Sequence, residues 1–205
     1  MITEQMRCHV EKYLSVDYDI YINQHSHPIN SRQFLEITNM DLSYRWIEKY
    51  QNQCAQAASV LSITLDAYTF LWDETYERVV VVYGISKNVN NKEKHQREKS
   101  RIAYYYRNFT KRYQLDAAMD TGHFIAHSLG GGLDINLFPQ KRSINRGHSA
   151  EGALYRQMEI YAMKHPETFV FSRPVYFDDT WRPFFLEYGV LKTDPTLWTH
   201  MFDNV

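Results

Sequence analysis

The stretch Asp120-Thr121-Gly122-His123-Phe124-Ile125-Ala126-His127-Ser128-Leu129-Gly130-Gly131-Gly132 decides how this chain is read. It runs on through Asp134-Ile135-Asn136-Leu137-Phe138-Pro139-Gln140 and Ile144-Asn145-Arg146-Gly147 to Tyr155-Arg156-Gln157-Met158-Glu159. Histidine, asparagine and carboxylate side chains gather here among glycines that let a backbone turn sharply. The rest of the chain is more uniform in texture.

Three chemistries compete for these residues. Ala126-His127-Ser128-Leu129-Gly130 matches the nucleophile elbow of esterases and lipases, with Ser128 as nucleophile. That elbow needs a buried strand before the serine and a helix directly after it. Three consecutive glycines, Gly130 to Gly132, stand where the helix should begin. His123 and His127 have the i, i+4 spacing of a helical zinc motif, but Phe124 replaces the glutamate and no third ligand is evident. The third chemistry is metal-assisted phosphodiester hydrolysis. A neutral imidazole with a pKa near 6.5 can take a proton from water. A hard cation, held by an amide oxygen and several waters, can neutralise the anion that forms.

Outward from this segment, the elements read as α+β. Ile47, Tyr50, Cys54, Ala57, Leu61, Leu65, Tyr68 and Trp72 step by three or four, which predicts one long helix over 41–72. Val79-Val80-Val81-Val82-Tyr83 predicts a buried strand. A second, basic helix is expected over 92–113. A further helix is expected over 151–165, ended by Pro166. Two strands are expected over 168–172 and 184–191, joined by a long connection.

The ordered pattern D-x-G-H, N-x-x-P-Q, N-x-G, then an aromatic four residues before a Glu, resembles the DNA/RNA non-specific endonucleases. These have a ββα-metal (His-Me finger) core. The likeness covers about residues 115–191 and points to the branch that includes bacterial toxin domains. It implies His123 as general base and Asn145 as direct ligand of Mg²⁺ (or Mn²⁺). It implies Glu159 as holder of metal-bound waters, and Asp120, Asn136 and Gln140 as supports. The substrate implied is DNA, with RNA as a second candidate, cut to 5′-phosphate products. Many relatives carry Arg where this chain has Thr121, so Arg146 and Arg156 become the candidate transition-state cations. An added stretch, residues 148–154, spaces Asn145 from Glu159 by 14 positions.

On this reading residues 91–205 form the endonuclease-like domain. Residues 1–90 form a helical regulatory or oligomerisation region. An inhibitor, an immunity-type partner or a second copy is expected to dock along residues 41–73. The counter-hypothesis from another class is a nucleic-acid-binding module on an inactive nuclease scaffold.

Composition sets the outer bounds. With 44% apolar and 23% charged residues, the chain is neither disordered nor collagen-like. Its mean hydropathy is −0.53, and no apolar run approaches the length of a membrane span. The N-terminus lacks the basic and apolar segments of a secretory signal, and Cys8 and Cys54 are the only cysteines. A cytoplasmic location, or export by a non-Sec route as a toxin, is expected. The net charge of −1 hides a division. Residues 1–91 carry −4, residues 92–112 carry +6, and residues 113–205 carry −3. The basic strip, with Lys99, Arg101, Arg107, Lys111 and Arg112 beside Tyr104 to Tyr106, is a candidate track for a phosphate backbone.

Overall fold

A computed structural model describes residues 2–23, 27–87 and 115–205. The expected basic helix over 92–113 and the strip of Lys99, Arg101, Arg107, Lys111 and Arg112 lie outside the described residues.

Four short helices lead the chain: α1 (Glu4–His9), α2 (Asp19–Asn23), α3 (Ser31–Ile37) and α4 (Ser43–Gln51). α1 and α3 each pass into a wider π turn, Val10–Leu14 and Thr38–Leu42. Asn30 and Gln33 form a reciprocal capping box at the start of α3, so its first amide groups are not left unpaired. Three strands follow: β1 (Val60–Leu65), β2 (Tyr68–Asp73) and β3 (Arg78–Ile85). Next come β4 (Met119–His123), β5 (Leu137–Lys141), α5 (Arg142–Asn145) and α6 (Ala150–Lys164). The chain ends with β6 (Phe169–Val175), β7 (Phe185–Leu191) and β8 (Leu197–Asp203).

The single helix expected over 41–72 is corrected here. α4 stops at Gln51, and the rest is a loop and the β1–β2 hairpin. Val60, Ile63 and Thr64 carry β-branched side chains that pack well on a pleated surface. Asp66, at φ 56°, makes the tight turn that reverses the chain into Tyr68. The stepped apolar spacing was an overlap of a short helix with two strands, not one face.

Six strands pair antiparallel in the order β1-β2-β3-β6-β7-β8. β3, from before residue 90, pairs with β6, from after it, so both sides of that position share one sheet. β4 and β5 form a separate two-stranded sheet. The large sheet is covered on both faces. Phe34, Leu42, Trp46 and Tyr50 from the leading helices pack with Val81, Tyr83, Phe169 and Phe171 on one face. Phe124, Phe138, Ile144, Tyr155 and Met158 pack with Val82, Val170, Leu186 and Val190 on the other. A bulge opposite Leu71/Trp72 places both Val80 and Val81 with the first face. Trp46 is fully buried, and its truncation to Ala should cost about 3–5 kcal/mol. A Cβ at Gly189 would fall 2.0 Å from the Phe171 ring, so the glycine is what admits that ring between facing strands.

Under the leading helices lies a sealed polar network. Arg173 Nε donates to Glu187 Oε2 (2.6 Å) and Nη2 to the Leu14 carbonyl (3.0 Å). Tyr18 donates to the same Glu187 oxygen (2.8 Å), and Trp46 Nε1 donates to the Tyr18 hydroxyl (3.2 Å). This network ties the helical layer to β6 and β7.

Candidate active site

β4 carries Asp120 to His123, in register with Gln140 to Leu137 of β5. His123 is the last residue of its strand, half-buried, where the chain leaves the small sheet. A Cβ at Gly122 would fall 2.3 Å from Gln140 Oε1, so the glycine lets the buried Gln140 side chain lie across the strand. Asn136 is fully buried and clamps the segment that follows His123. Its Oδ1 accepts from Ile125 N (3.0 Å), and its Nδ2 donates to the carbonyls of Ile125 and Gly132 (both 2.9 Å). The hairpin is also pinned to the large sheet. Buried Asn204 donates to the carbonyls of Pro139 (2.9 Å) and Pro183 (2.8 Å) and accepts from Lys141 N (2.8 Å).

α5 begins directly after β5. Arg142 N donates to the Ala118 carbonyl (2.8 Å), which ties the helix start to the start of β4. Asn145 ends the helix, and Gly147 at φ 69° lets the chain turn away. The added stretch 148–154 does not loop outward. Ser149 caps α6, and residues 150–154 are the helix's own first turns. A Cβ at Gly152 would fall 2.3 Å from the Ser143 carbonyl, so α6 packs closely on α5.

Asp120 is where these elements meet. Its Oδ2 accepts from Arg146 Nε (2.7 Å) and Asn145 Nδ2 (3.4 Å). Its Oδ1 accepts from Arg146 Nη2 (3.1 Å) and Arg142 Nε (3.1 Å). Partial burial raises the Asp120 pKa, but the bonds from Arg146, Arg142 and Asn145 prevail and hold it below the usual range. The carboxylate therefore stays charged and fixes three side chains at once. Asp120, Thr121, Arg142, Asn145 and Arg146, with Leu115 to Ala117 and Met119, line an open cleft of about 620 Å³.

Tyr155 and Glu159 lie one turn apart on α6, on the same side. Tyr155 donates to the His123 carbonyl (3.4 Å). Burial pushes the Glu159 carboxyl up to about 7, against the pull of Arg156. Arg156 itself is exposed, with its guanidinium close to Gly147.

The sequence-predicted residues thus divide. Asp120, Asn145 and Arg146 are brought into one hydrogen-bonded group. His123, Asn136 and Gln140 sit on the adjoining hairpin, and Glu159 and Arg156 on the helix behind it. Arg142 was missed, although it precedes Asn145 by one helical turn. Tyr155 carries only the aromatic place of its motif in the sequence, and its bond to the His123 backbone comes from the fold. Ser128 lies in a single 3₁₀ turn, His127–Leu129, closed by Gly130 at φ 92°. No helix follows, so the nucleophile-elbow alternative loses its required geometry.

No protein-family model matches the chain, and no curated protein matches it by sequence. Solved structures similar to the chain include the following two. One is a structure of Sda1 nuclease with bound zinc ion, at TM-score 0.47 and 18% identity, over 72% of this chain and 75% of that one. The other is a crystal structure of the EndoG/EndoGI complex, on the mechanism of EndoG inhibition. It gives TM-score 0.48 and 14% identity, over 78% of this chain and 80% of that one. Likeness at this level is one of backbone, and the chemistry is read from the side chains.

Proposed function

We propose that this chain is a metal-dependent endonuclease of low sequence specificity, acting on DNA and, as a second substrate, RNA. One observation carries the reading. Motifs more than twenty residues apart, Asp120 and Asn145-Arg146, close onto one another through direct hydrogen bonds at the mouth of a cleft.

The donor set fits a hard divalent cation, Mg²⁺ or Mn²⁺. Asn145 turns its amide NH₂ toward Asp120, which leaves the amide oxygen for another partner. Amide and carboxylate oxygens are the donors such ions prefer. Among the described residues, no three His, Cys, Asp or Glu side chains gather into a metal-binding cage. Asn145 would hold the ion, and Glu159, when ionised, would accept hydrogen bonds from its waters. The bound ion would supply charge neutralisation at the phosphate and the leaving oxygen. His123 would take the proton from the attacking water as its oxygen bonds to phosphorus. The bond from phosphorus to O3′ would break, O3′ would take up a proton from solvent water, the hydroxide so formed would be neutralised by the proton His123 later releases, and the 5′-phosphate would stay on the other fragment. Asp120 acts by positioning, because its oxygens are already occupied by Arg142, Arg146 and Asn145.

A nuclease of this kind needs restraint, and a control surface fits residues 41–73 only in part. In that stretch Trp46, Tyr50 and Leu71 belong to the core, while Tyr44, Leu61 and Leu65 are exposed. An inhibitor, or a second copy, would therefore meet α4 and the outer edge strand β1 rather than a continuous helical stripe. The strip at Lys99, Arg101, Arg107, Lys111 and Arg112 would follow the nucleic-acid backbone, with affinity falling steeply as salt rises. No helix among the described residues is long and apolar enough to cross a membrane. A cytoplasmic location, or release as a toxin or defence effector, accords with this reading.

The test is plasmid relaxation with Mg²⁺ or Mn²⁺, repeated with EDTA. Cleavage that requires the metal and vanishes in His123→Ala is expected. Metal-independent cleavage, or full activity in the variant, would overturn the proposal.

A further inference from the structure

Two arginines meet on one carboxylate at the cleft, and neither is used up there. Arg146 gives Nε and Nη2 to Asp120. Arg142 gives Nε to Asp120 and Nη2 to the Met119 carbonyl (3.4 Å). Among the described residues, Nη1 of each guanidinium makes no hydrogen bond. Their side chains keep 41% and 49% of their surface, whereas Asp120 keeps 15%. The group therefore carries one net positive charge, with its negative member covered and its positive members open. An arginine held on one edge by a carboxylate presents the other edge with little entropy left to lose. An oxyanion is the partner that such a planar fork matches.

Position sharpens this. Arg142 and Arg146 lie four residues apart, at the start and just past the end of α5, with Asn145 between them in sequence. All three side chains line the same cleft. Thr121, also on its wall, has no charge to offer a phosphate. Among the described residues, one further arginine pairs with a carboxylate of the cleft lining, Arg182 with Asp116 (3.2 Å), and it comes from the loop before β7 rather than from α5.

We propose that Arg142 and Arg146, crossed on Asp120, form an oxyanion cradle for a phosphate, and that Arg142 is the cation stabilising the pentacovalent phosphorane-like transition state. Only the identification of the anion as a phosphodiester rests on the endonuclease reading. The cradle itself is a property of the side chains. Arg142 donates through Nη1 to a non-bridging oxygen whose negative charge grows as water adds. Arg146 secures the same phosphate and keeps Asp120 in place.

Two measurements on the 205-residue chain separate the claims. The first is pyrophosphate binding in EDTA, by calorimetry. Wild type should bind, and Arg142→Ala with Arg146→Ala should weaken binding about tenfold or more, as expected when charge-assisted bonds are lost. The second is cleavage at saturating DNA with Mg²⁺. Arg142→Ala should lower the maximal rate roughly a hundredfold, as for loss of one oxyanion donor, while DNA affinity changes little. Arg142→Lys should recover only a small part, because it lacks the fork. Added guanidinium ion should partly rescue Arg142→Ala, which a merely structural role would not allow. Unchanged pyrophosphate binding in the double variant, or an unchanged maximal rate in Arg142→Ala, would overturn the cradle. Pyrophosphate binding that depends on both arginines, in a protein that cuts no nucleic acid, would support the cradle and sink the endonuclease reading.

Discussion

Two arginine–carboxylate groups in this molecule use the same chemistry to opposite ends. At Arg173–Glu187 both partners are buried, and the surrounding bonds come from Tyr18 and the Leu14 carbonyl. At Asp120 only the carboxylate is shielded, and two arginines face an open cleft. Desolvation makes the first pair costly to break, because a lone charge would be stranded in the core. Solvent makes the second group cheap to break but leaves it donors to offer. The difference separates a fastening from a working site more sharply than residue type does, since both are Arg with Asp or Glu.

The largest expected effect follows from the buried group. Glu187→Ala should lose about 3–5 kcal/mol of stability in urea unfolding, because Arg173 is left without its counter-charge. A loss below about 1 kcal/mol would mean the network is wetter than the structure shows.

Next comes the cleft. Asp120→Asn should change stability by no more than about 1 kcal/mol, as is usual for pairs whose cations remain in solvent. Its cleavage rate should nevertheless fall roughly a hundredfold, because three cleft side chains lose their common anchor. If stability and activity fall together, the contrast between the two groups fails.

Asp120 in the cleft and Glu159 on α6 act on stability with opposite signs. Glu159, held up to about 7, folds more readily when protonated. Its contribution is fully present below the ordinary carboxylate pKa and is lost as pH rises through about 7. Asp120, held low, contributes above its ordinary pKa and loses that contribution as pH falls below it. Urea unfolding in EDTA across pH 4–8 should therefore show a decline in stability toward pH 7 that Glu159→Gln removes and Asp120→Asn does not.

The smallest effect belongs to a fully exposed pair. Arg32 and Glu167 meet at 3.3 Å with most of each side chain in water. Arg32→Ala should shift stability by no more than about 0.5 kcal/mol, measured by the same unfolding.

Much of the fold was legible where one element filled one apolar run. Val79 to Val82 reads as β3 because four β-branched side chains leave little else. The helix over 151–165 appears as α6 within a residue at each end. The single helix expected over 41–72 does not form because Leu61, Leu65 and Tyr68, which belong to a hairpin, happen to continue the steps set by Ile47 and Tyr50. Nothing in that spacing announces that Asp66 adopts a positive φ and reverses the chain. β8 went unread, since Leu197 to Asp203 mixes His200 and Thr199 with its apolar residues and is only half-buried along most of its length.

The site was legible as motifs and not as contacts. Asp120, His123 and Asn145 stand out by type and order. That Asp120 bonds Asn145, and shares one oxygen between Arg142 and Arg146, depends on β5 delivering the chain back beside β4. Arg142 looked like one more charge before a short helix. Its role emerges only from the register of the β4–β5 hairpin and the bond from its amide to Ala118.

The most direct test of the central claim uses an end-labelled DNA duplex in Mg²⁺, cut by wild type, His123→Ala and Asn145→Ala at matched folded fraction. Wild type should cleave to 5′-phosphate ends. The rate should be at least about a hundredfold lower in His123→Ala, as for loss of a general base. Asn145→Ala should need far more Mg²⁺ to reach any activity. Equal rates in all three proteins, at equal metal, would contradict the claim.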